Sequence, residues 1–154
     1  IYPGTGWLDD APHAKKRIVN VPLQAYAGDE TYLRVTNEIF KPVVESFRPQ
    51  MLFISAGFDA HWNDPITSLG LSTRGYYEMS KKLVEIAEEY CDGKIVFVLE
   101  GGYDPHNVAH GAAAVFDALT NSQLNKDAND PSPYADVDHE SRIHEILRWH
   151  DISQ

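Results

Sequence analysis

Cysteine is almost absent from this chain. Cys91 stands alone, so no internal disulfide framework is available, and a lone thiol fits a reducing compartment, the cytoplasm. Positive charge is also scarce: 13 Lys and Arg residues face 23 Asp and Glu residues, for a net charge of −10. That balance argues against a nucleic-acid backbone or an anionic membrane surface as the main partner, and it leaves a cationic substrate compatible. No stretch reaches the length of a transmembrane helix, and the N-terminus has neither the basic start nor the apolar run of a signal peptide. The first residue is Ile1 rather than Met, so the chain is expected to be a piece of a longer protein. Its 154 residues suit one domain with a sizeable core.

Two long apolar runs organise what is present. Residues 51–64 read Met-Leu-Phe-Ile-Ser-Ala-Gly-Phe-Asp-Ala-His-Trp-Asn-Asp, and residues 94–99 read Lys-Ile-Val-Phe-Val-Leu. Continuous apolar runs bounded by turn residues describe strands buried on both faces of a parallel sheet. A shorter strand is expected at Ile18–Leu23, interrupted by Asn20 and closed by Pro22. Asp29 is expected to cap a helix whose apolar face runs through Leu33, Thr36, Phe40, Val43 or Val44, and Phe47, with Pro42 kinking it. Ser72 opens a second helix with Tyr76, Met79, Leu83, Ile86 and Tyr90 on its buried stripe, ended by Cys91-Asp92-Gly93. Asp104-Pro105 starts a third helix through Leu119. Residues 122–137 form a polar loop, and a terminal helix covers 138–150 with Ile143, Ile146 and Leu147 on its apolar side. The alternation of strand and helix gives an α/β fold with a parallel sheet.

In such sheets, ligands bind beyond the carboxyl ends of the strands. Asp59 is the first charged residue after the first run, and Glu100-Gly101-Gly102-Tyr103 follows the second. If the strands lie close together, a carboxylate and a phenol converge, and the two glycines let backbone approach a ligand. That composition suggests metal-assisted hydrolysis, with Asp59 on a cation and Tyr103 stabilising an oxyanion. The plainer alternative is that Asp59 caps a turn and that Gly-Gly-Tyr is an ordinary turn. His106 and His110 are four apart on a helix, which is ligand spacing, but no Glu lies between them and a solvated face is the simpler reading. His13, His139, His144 and His150 are expected at the surface. Trp62 either lines a substrate entrance or packs.

Several motifs together carry a resemblance: Tyr2-Pro-Gly-Thr-Gly6, Val19-Asn-Val-Pro-Leu23, Ser55-Ala-Gly-Phe-Asp-Ala-His61 with Asp64-Pro65, and Leu99-Glu-Gly-Gly-Tyr103. In order and spacing they resemble the zinc-dependent histone deacetylase family, which includes acetoin-utilisation and acetylpolyamine relatives. The form Leu-Glu-Gly-Gly-Tyr is similar to its class II and bacterial branch. The resemblance implies a three-layer, arginase/deacetylase-like fold with helices on both faces of the sheet. It implies Zn2+ as the cofactor of the complete domain, with Asp59 as one ligand, and Tyr103 as the donor to the substrate carbonyl. It also implies an N-acetylated amine substrate, with Tyr2 walling the acyl-lysine tunnel, Ile66 at its rim, and Gly101 and Gly102 beside it.

The family's upstream Asp-x-His ligands and its His-His base are not in these residues, although an Asp-x-His does occur at Asp59-Ala-His61. Asp59 and His61 could share a metal only if that segment were extended with both side chains toward one face; otherwise His61 is a loop residue. The chain is therefore expected to be the C-terminal part of a deacetylase domain, holding zinc weakly and inactive by itself. A homo-oligomer is expected through the surface that the N-terminal half would cover. The competing expectation is a non-catalytic α/β module that keeps the fold and acts by association with another chain.

Overall fold

The computed structural model describes residues 4–15 and 17–152. Two strands, β1 (Leu52–Ala56) and β2 (Ile95–Leu99), pair in parallel with Leu52 opposite Ile95 and Ala56 opposite Leu99. Parallel strands need a long crossover, and here it is α3 (Thr73–Cys91). The Ser72 hydroxyl caps α3 by accepting a bond from the Gly75 amide at 3.1 Å. At its other end Asp92 and Gly93 adopt the left-handed conformation that turns the chain into β2.

Helix α4 (Pro105–Leu119) starts as its dipeptide predicts, with the Asp104 side chain accepting from the Asn107 amide and proline in the first turn. Upstream, α1 (Asp29–Val35) runs into a π-turn at Thr36–Phe40 and then α2 (Lys41–Phe47). Pro42 explains the change of register, because it offers no amide for an ordinary helical bond. The extra residue of a π-turn absorbs the lost bond without breaking the axis. The cap of α1 differs from expectation: Gly28 occupies that position. Asp29 sits inside the first turn and accepts instead from the Ser72 amide and hydroxyl, at 2.8 and 2.6 Å.

Alternate strand residues face one core. Val44, Leu52, Ile86, Ala87 and Cys91 form one buried cluster, against which Ile54 and Ile95 pack. Phe58, Leu71, Tyr76, Ala114 and Val115 form a second, against which Ala56 and Phe97 pack. The expectation of strands buried on both faces is not met within this chain. Phe53 is 70% exposed, and Val96 and Val98 beside it are also open, because the helices described cover the other face of this two-stranded sheet.

Residues 18–23 form no strand either. Pro22 donates nothing, no described strand lies beside them, and Val19 and Val21 pack instead against Ile39, Ile143, Ile146 and Leu147. Helix α5 (Glu140–His150) supplies three of those residues. His139 and His150, expected at the surface, are buried at 3% and 4% exposure. They extend the stripe Ile143, Ile146, Leu147 by four residues backwards and by three forwards, so the same helical face carries them inward. The polar stretch before α5 is irregular but well tied: the Asp136 carboxylate accepts from the Gly28 and Thr31 amides, both at 2.8 Å. Among the described residues no helix is long and apolar enough to cross a membrane.

Candidate active-site rim

The carboxyl ends of β1 and β2 continue side by side past the sheet. The Glu100 amide donates to the Ala56 carbonyl at 3.1 Å, and the Phe58 amide to the Gly101 carbonyl at 2.9 Å. This ladder brings the loop after β1 against the loop after β2. The half-buried Asp59 lies directly over Gly101, where a methyl group would come within 2.7 Å of Asp59 Oδ2. Any larger residue at 101 would displace the Asp59 carboxylate, which favours glycine there. Gly102 has φ of +129°, and a side chain there would meet Val108 at 2.6 Å, so glycine is favoured there too.

Asp64 ties this rim together. It is buried; its Oδ1 accepts from the Ile66 amide at 2.9 Å and its Oδ2 from the Tyr103 amide at 3.0 Å. One carboxylate thus closes the 64–67 turn and holds the backbone of Tyr103, whose side chain stays 56% exposed. The Thr67 hydroxyl donates to the Asp59 carbonyl, fixing the start of the same loop. Phe58 anchors the rim from below by packing flat on Gly111 of α4 and tilting against Tyr76, ring centroids 5.1 Å apart.

Two phenols lie close enough to feel Asp59. Burial first, and the charge of Asp59 second, push the Tyr32 phenol up to about 12. Burial likewise pushes Tyr76 upward, with Tyr32 and Asp59 adding to it. Both stay neutral, so they add no charge near Asp59. Asp64, Tyr32 and Tyr76 were not singled out as functional from sequence. The signal for Asp64 is Asp-Pro directly after a strand loop; nothing local marks the phenols, which reach Asp59 from separate helices.

Of the other expected site residues, Ile66 is exposed beside this turn, and Tyr2 lies outside the described residues. His61 is fully buried; its amide donates to the Phe58 carbonyl at 3.3 Å, so residues 58–61 turn rather than extend. Asp59 and His61 do not join in a three-donor group among the described residues. The Trp62 indole donates to the Asn129 carbonyl at 2.8 Å, which fastens the 122–137 stretch to the rim loop.

A profile of the histone deacetylase domain matches residues 1–119. The chain belongs to the histone deacetylase family. A protein of Archaeoglobus fulgidus described as a probable deacetylase is 51% identical over 105 residues, covering 67% of this chain and 29% of that protein. The chloroplastic histone deacetylase 14 of Arabidopsis thaliana is 38% identical over 120 residues, covering 77% of this chain and 28% of that protein. The chain thus spans under a third of each. The crystal structure of the HDA15 HD domain superposes with a TM-score of 0.79 at 27% identity, covering 97% of this chain and 39% of that one. The histone deacetylase Clr3 gives 0.81 at 27%, covering 100% and 26%. The fold of this deacetylase-family chain is accordingly part of the arginase/deacetylase architecture.

Members of the family generally depend on a metal. At the rim, the group suited to one is Asp59: a half-exposed carboxylate over a glycine, with no hydrogen bond to its oxygens among the described residues. It offers one ligand, whereas a catalytic zinc usually takes three from protein. The three-donor group among the described residues lies elsewhere, at His106, His110 and Asp127.

Proposed function

We propose that this chain supplies part of the centre of a zinc-dependent deacetylase that hydrolyses an N-acetylated amine, either acetyl-lysine or an acetylpolyamine. The observation that carries the reading is the contact of the Asp59 carboxylate with Gly101, two residues before Tyr103, across adjoining parallel strands. In this reading Asp59 is one metal ligand, and zinc, when bound, polarises the amide and acidifies a water. The Tyr103 phenol donates to the carbonyl oxygen as it gains charge. Asp64 sets the height of Tyr103 through its amide, and Gly101 and Gly102 let Asp59 and Val108 close against the backbone beside it. Tyr2 and Ile66 line the approach.

Residues 1–154 alone are inactive in this reading, because one carboxylate does not hold a catalytic zinc. The test is a fluorogenic acetyl-lysine assay, with an acetylpolyamine in parallel. It compares residues 1–154 plus zinc against the same residues expressed with whatever precedes them in their reading frame. Turnover sensitive to chelator is expected only in the longer protein and is lost on Asp59→Asn. Chelator-sensitive turnover by residues 1–154 overturns the assignment of an incomplete centre.

A second reading, association with another chain, is supported by the uncovered sheet face of Phe53, Val96 and Val98. Soluble monomers rarely leave contiguous apolar surface or a flat strand edge open. In this reading residues 1–154 form a homo-oligomer through that face. Light scattering at micromolar concentration should give a multiple of the chain mass that falls to the monomer on Phe53→Lys; a clean monomer at the start rejects it.

A further inference from the structure

His106 and His110 stand one turn apart on α4, and the fold carries a third donor to them from a distant stretch of chain. His106 Nε2 lies 2.8 Å from Asp127 Oδ1, and His110 Nδ1 lies 3.9 Å from Asp127 Oδ2. The two imidazoles are near-stacked, with centroids 4.2 Å apart and planes inclined by 34°. One donor atom from each of the three residues lies within 4.8 Å of the others. Bonds of about 2.0 to 2.2 Å around a tetrahedral ion put its donors about 3.3 to 3.6 Å apart. The observed 2.8 and 3.9 Å, to the two oxygens of the Asp127 carboxylate, fall on either side of that range.

The burial of the three residues is graded in the way a metal site needs. The Asp127 side chain is wholly inaccessible, whereas His106 and His110 are 42% and 32% exposed, which leaves an entry path and room for solvent ligands. Asp127 is also held from behind: the Thr73 hydroxyl donates to Oδ2 and the Asn129 amide to Oδ1 at 2.9 Å. Such supporting bonds are what orient a ligating carboxylate. Among the described residues no Lys or Arg pairs with this buried anion. Its hydrogen bonds come from the Thr73 hydroxyl, the Asn129 amide and the His106 ring, which leaves the buried carboxylate without a Lys or Arg counter-charge.

We propose that His106, His110 and Asp127 bind a divalent transition-metal ion of the zinc class, with solvent completing its shell. Two imidazoles and one carboxylate suit Zn2+, Co2+ or Ni2+ and disfavour Mg2+ or Ca2+, which take oxygen ligands. The ion clips α4 to the polar stretch, and α3 joins through the Thr73 hydroxyl on Asp127. Thr73 begins α3, the histidines lie on α4, and Asp127 belongs to the polar stretch that starts beyond the 119 residues matching the family profile. The site shares no ligand with the rim at Asp59, so it is independent of the deacetylase reading.

The experiment uses untagged protein, stripped with chelator, dialysed, and titrated with Co2+ alone and then with Zn2+ in competition. The expected result is a saturable visible Co2+ absorption at about one ion per chain, displaced by Zn2+. It is accompanied by a rise in melting temperature that chelator reverses. His106→Gln and His110→Gln should each weaken Co2+ binding by about tenfold or more, and Thr73→Val by about tenfold through the freed carboxylate. His144→Gln, on the exposed side of α5, serves as the control and leaves binding unchanged. Circular dichroism checks that each variant is folded. Absence of a saturable Co2+ band, or a band that survives the His106→Gln/His110→Gln double change, overturns the proposal.

Discussion

The two ends of the strand pair differ in what fills them. At the amino ends of β1 and β2 the surface is cratered by cavities of about 570 and 700 Å3. The first is lined by Val43, Phe47, Leu52 and His150 among others, the second by Met51, Tyr90 and Cys91. At the carboxyl ends, where Asp59 and Tyr103 sit, neither cavity appears: Asp59 fills the space over Gly101, and Asp64 draws in the backbone of Tyr103. These two cavities therefore lie at the opposite end of the strand pair from Asp59 and Tyr103. The carboxyl-end loops are tied by their own hydrogen bonds, which satisfy backbone groups that the strand ladder leaves over.

The largest effect that would break this contrast is at Tyr103. In the complete domain, Tyr103→Phe should lower kcat about 10²- to 10³-fold, the usual loss for one oxyanion donor, with the melting temperature unchanged because the phenol is exposed. A variant as fast as the parent would remove Tyr103 from the chemistry.

Next in size is Asp64→Ala. Losing a buried carboxylate that binds amides on two loops should cost about 2 to 4 kcal/mol in denaturant unfolding. A cost below about 0.5 kcal/mol, the ordinary range for a surface change, would show that the rim is not held by Asp64.

Gly101→Ala ranks third. Its methyl would press on Asp59, and overpacking of this kind costs about 1 to 3 kcal/mol. The double variant Gly101→Ala/Asp59→Gly should recover much of that loss. Additive costs would mean that the contact is not the cause.

The smallest effect belongs to the amino end. Burial, and then the nearby Lys15 ammonium, hold His150 below its ordinary value, with Asp151 opposing; Arg17 lines the same cavity. The folded state then binds fewer protons than the unfolded one just below pH 6.5, so stability present at neutral pH is lost as the pH falls through that point. His150→Gln should flatten the slope of unfolding free energy between about pH 6.5 and 5. An unchanged slope would show that His150 is not the group responsible.

Much of this was legible before any coordinates. The runs at 51–58 and 94–99, the Ser72 and Asp104-Pro105 helix starts, and the family motifs depend on local chemistry, and each element formed close to where its residues place it. What sequence reasoning missed came from distance along the chain. The extended reading of residues 18–23 failed because a strand needs a neighbour, and the neighbour they found was the apolar side of α5. His150 was read as surface because histidine usually is, although its spacing from Ile143 and Leu147 already put it on the buried stripe.

The sequence by itself determined which residues are able to act: one carboxylate and one phenol after two apolar strands, and two histidines a helical turn apart. Backbone preference, capping and hydrophobic period settle those placements over a few residues. Only the tertiary structure decided which of them meet. Asp59 rests on Gly101, Asp64 reaches Tyr103 across 39 positions, and Asp127 arrives beside His106 across 21, because packing of α3 on α4 and pairing of β1 with β2 bring those loops together. No local rule encodes a contact whose partners are that far apart in the chain.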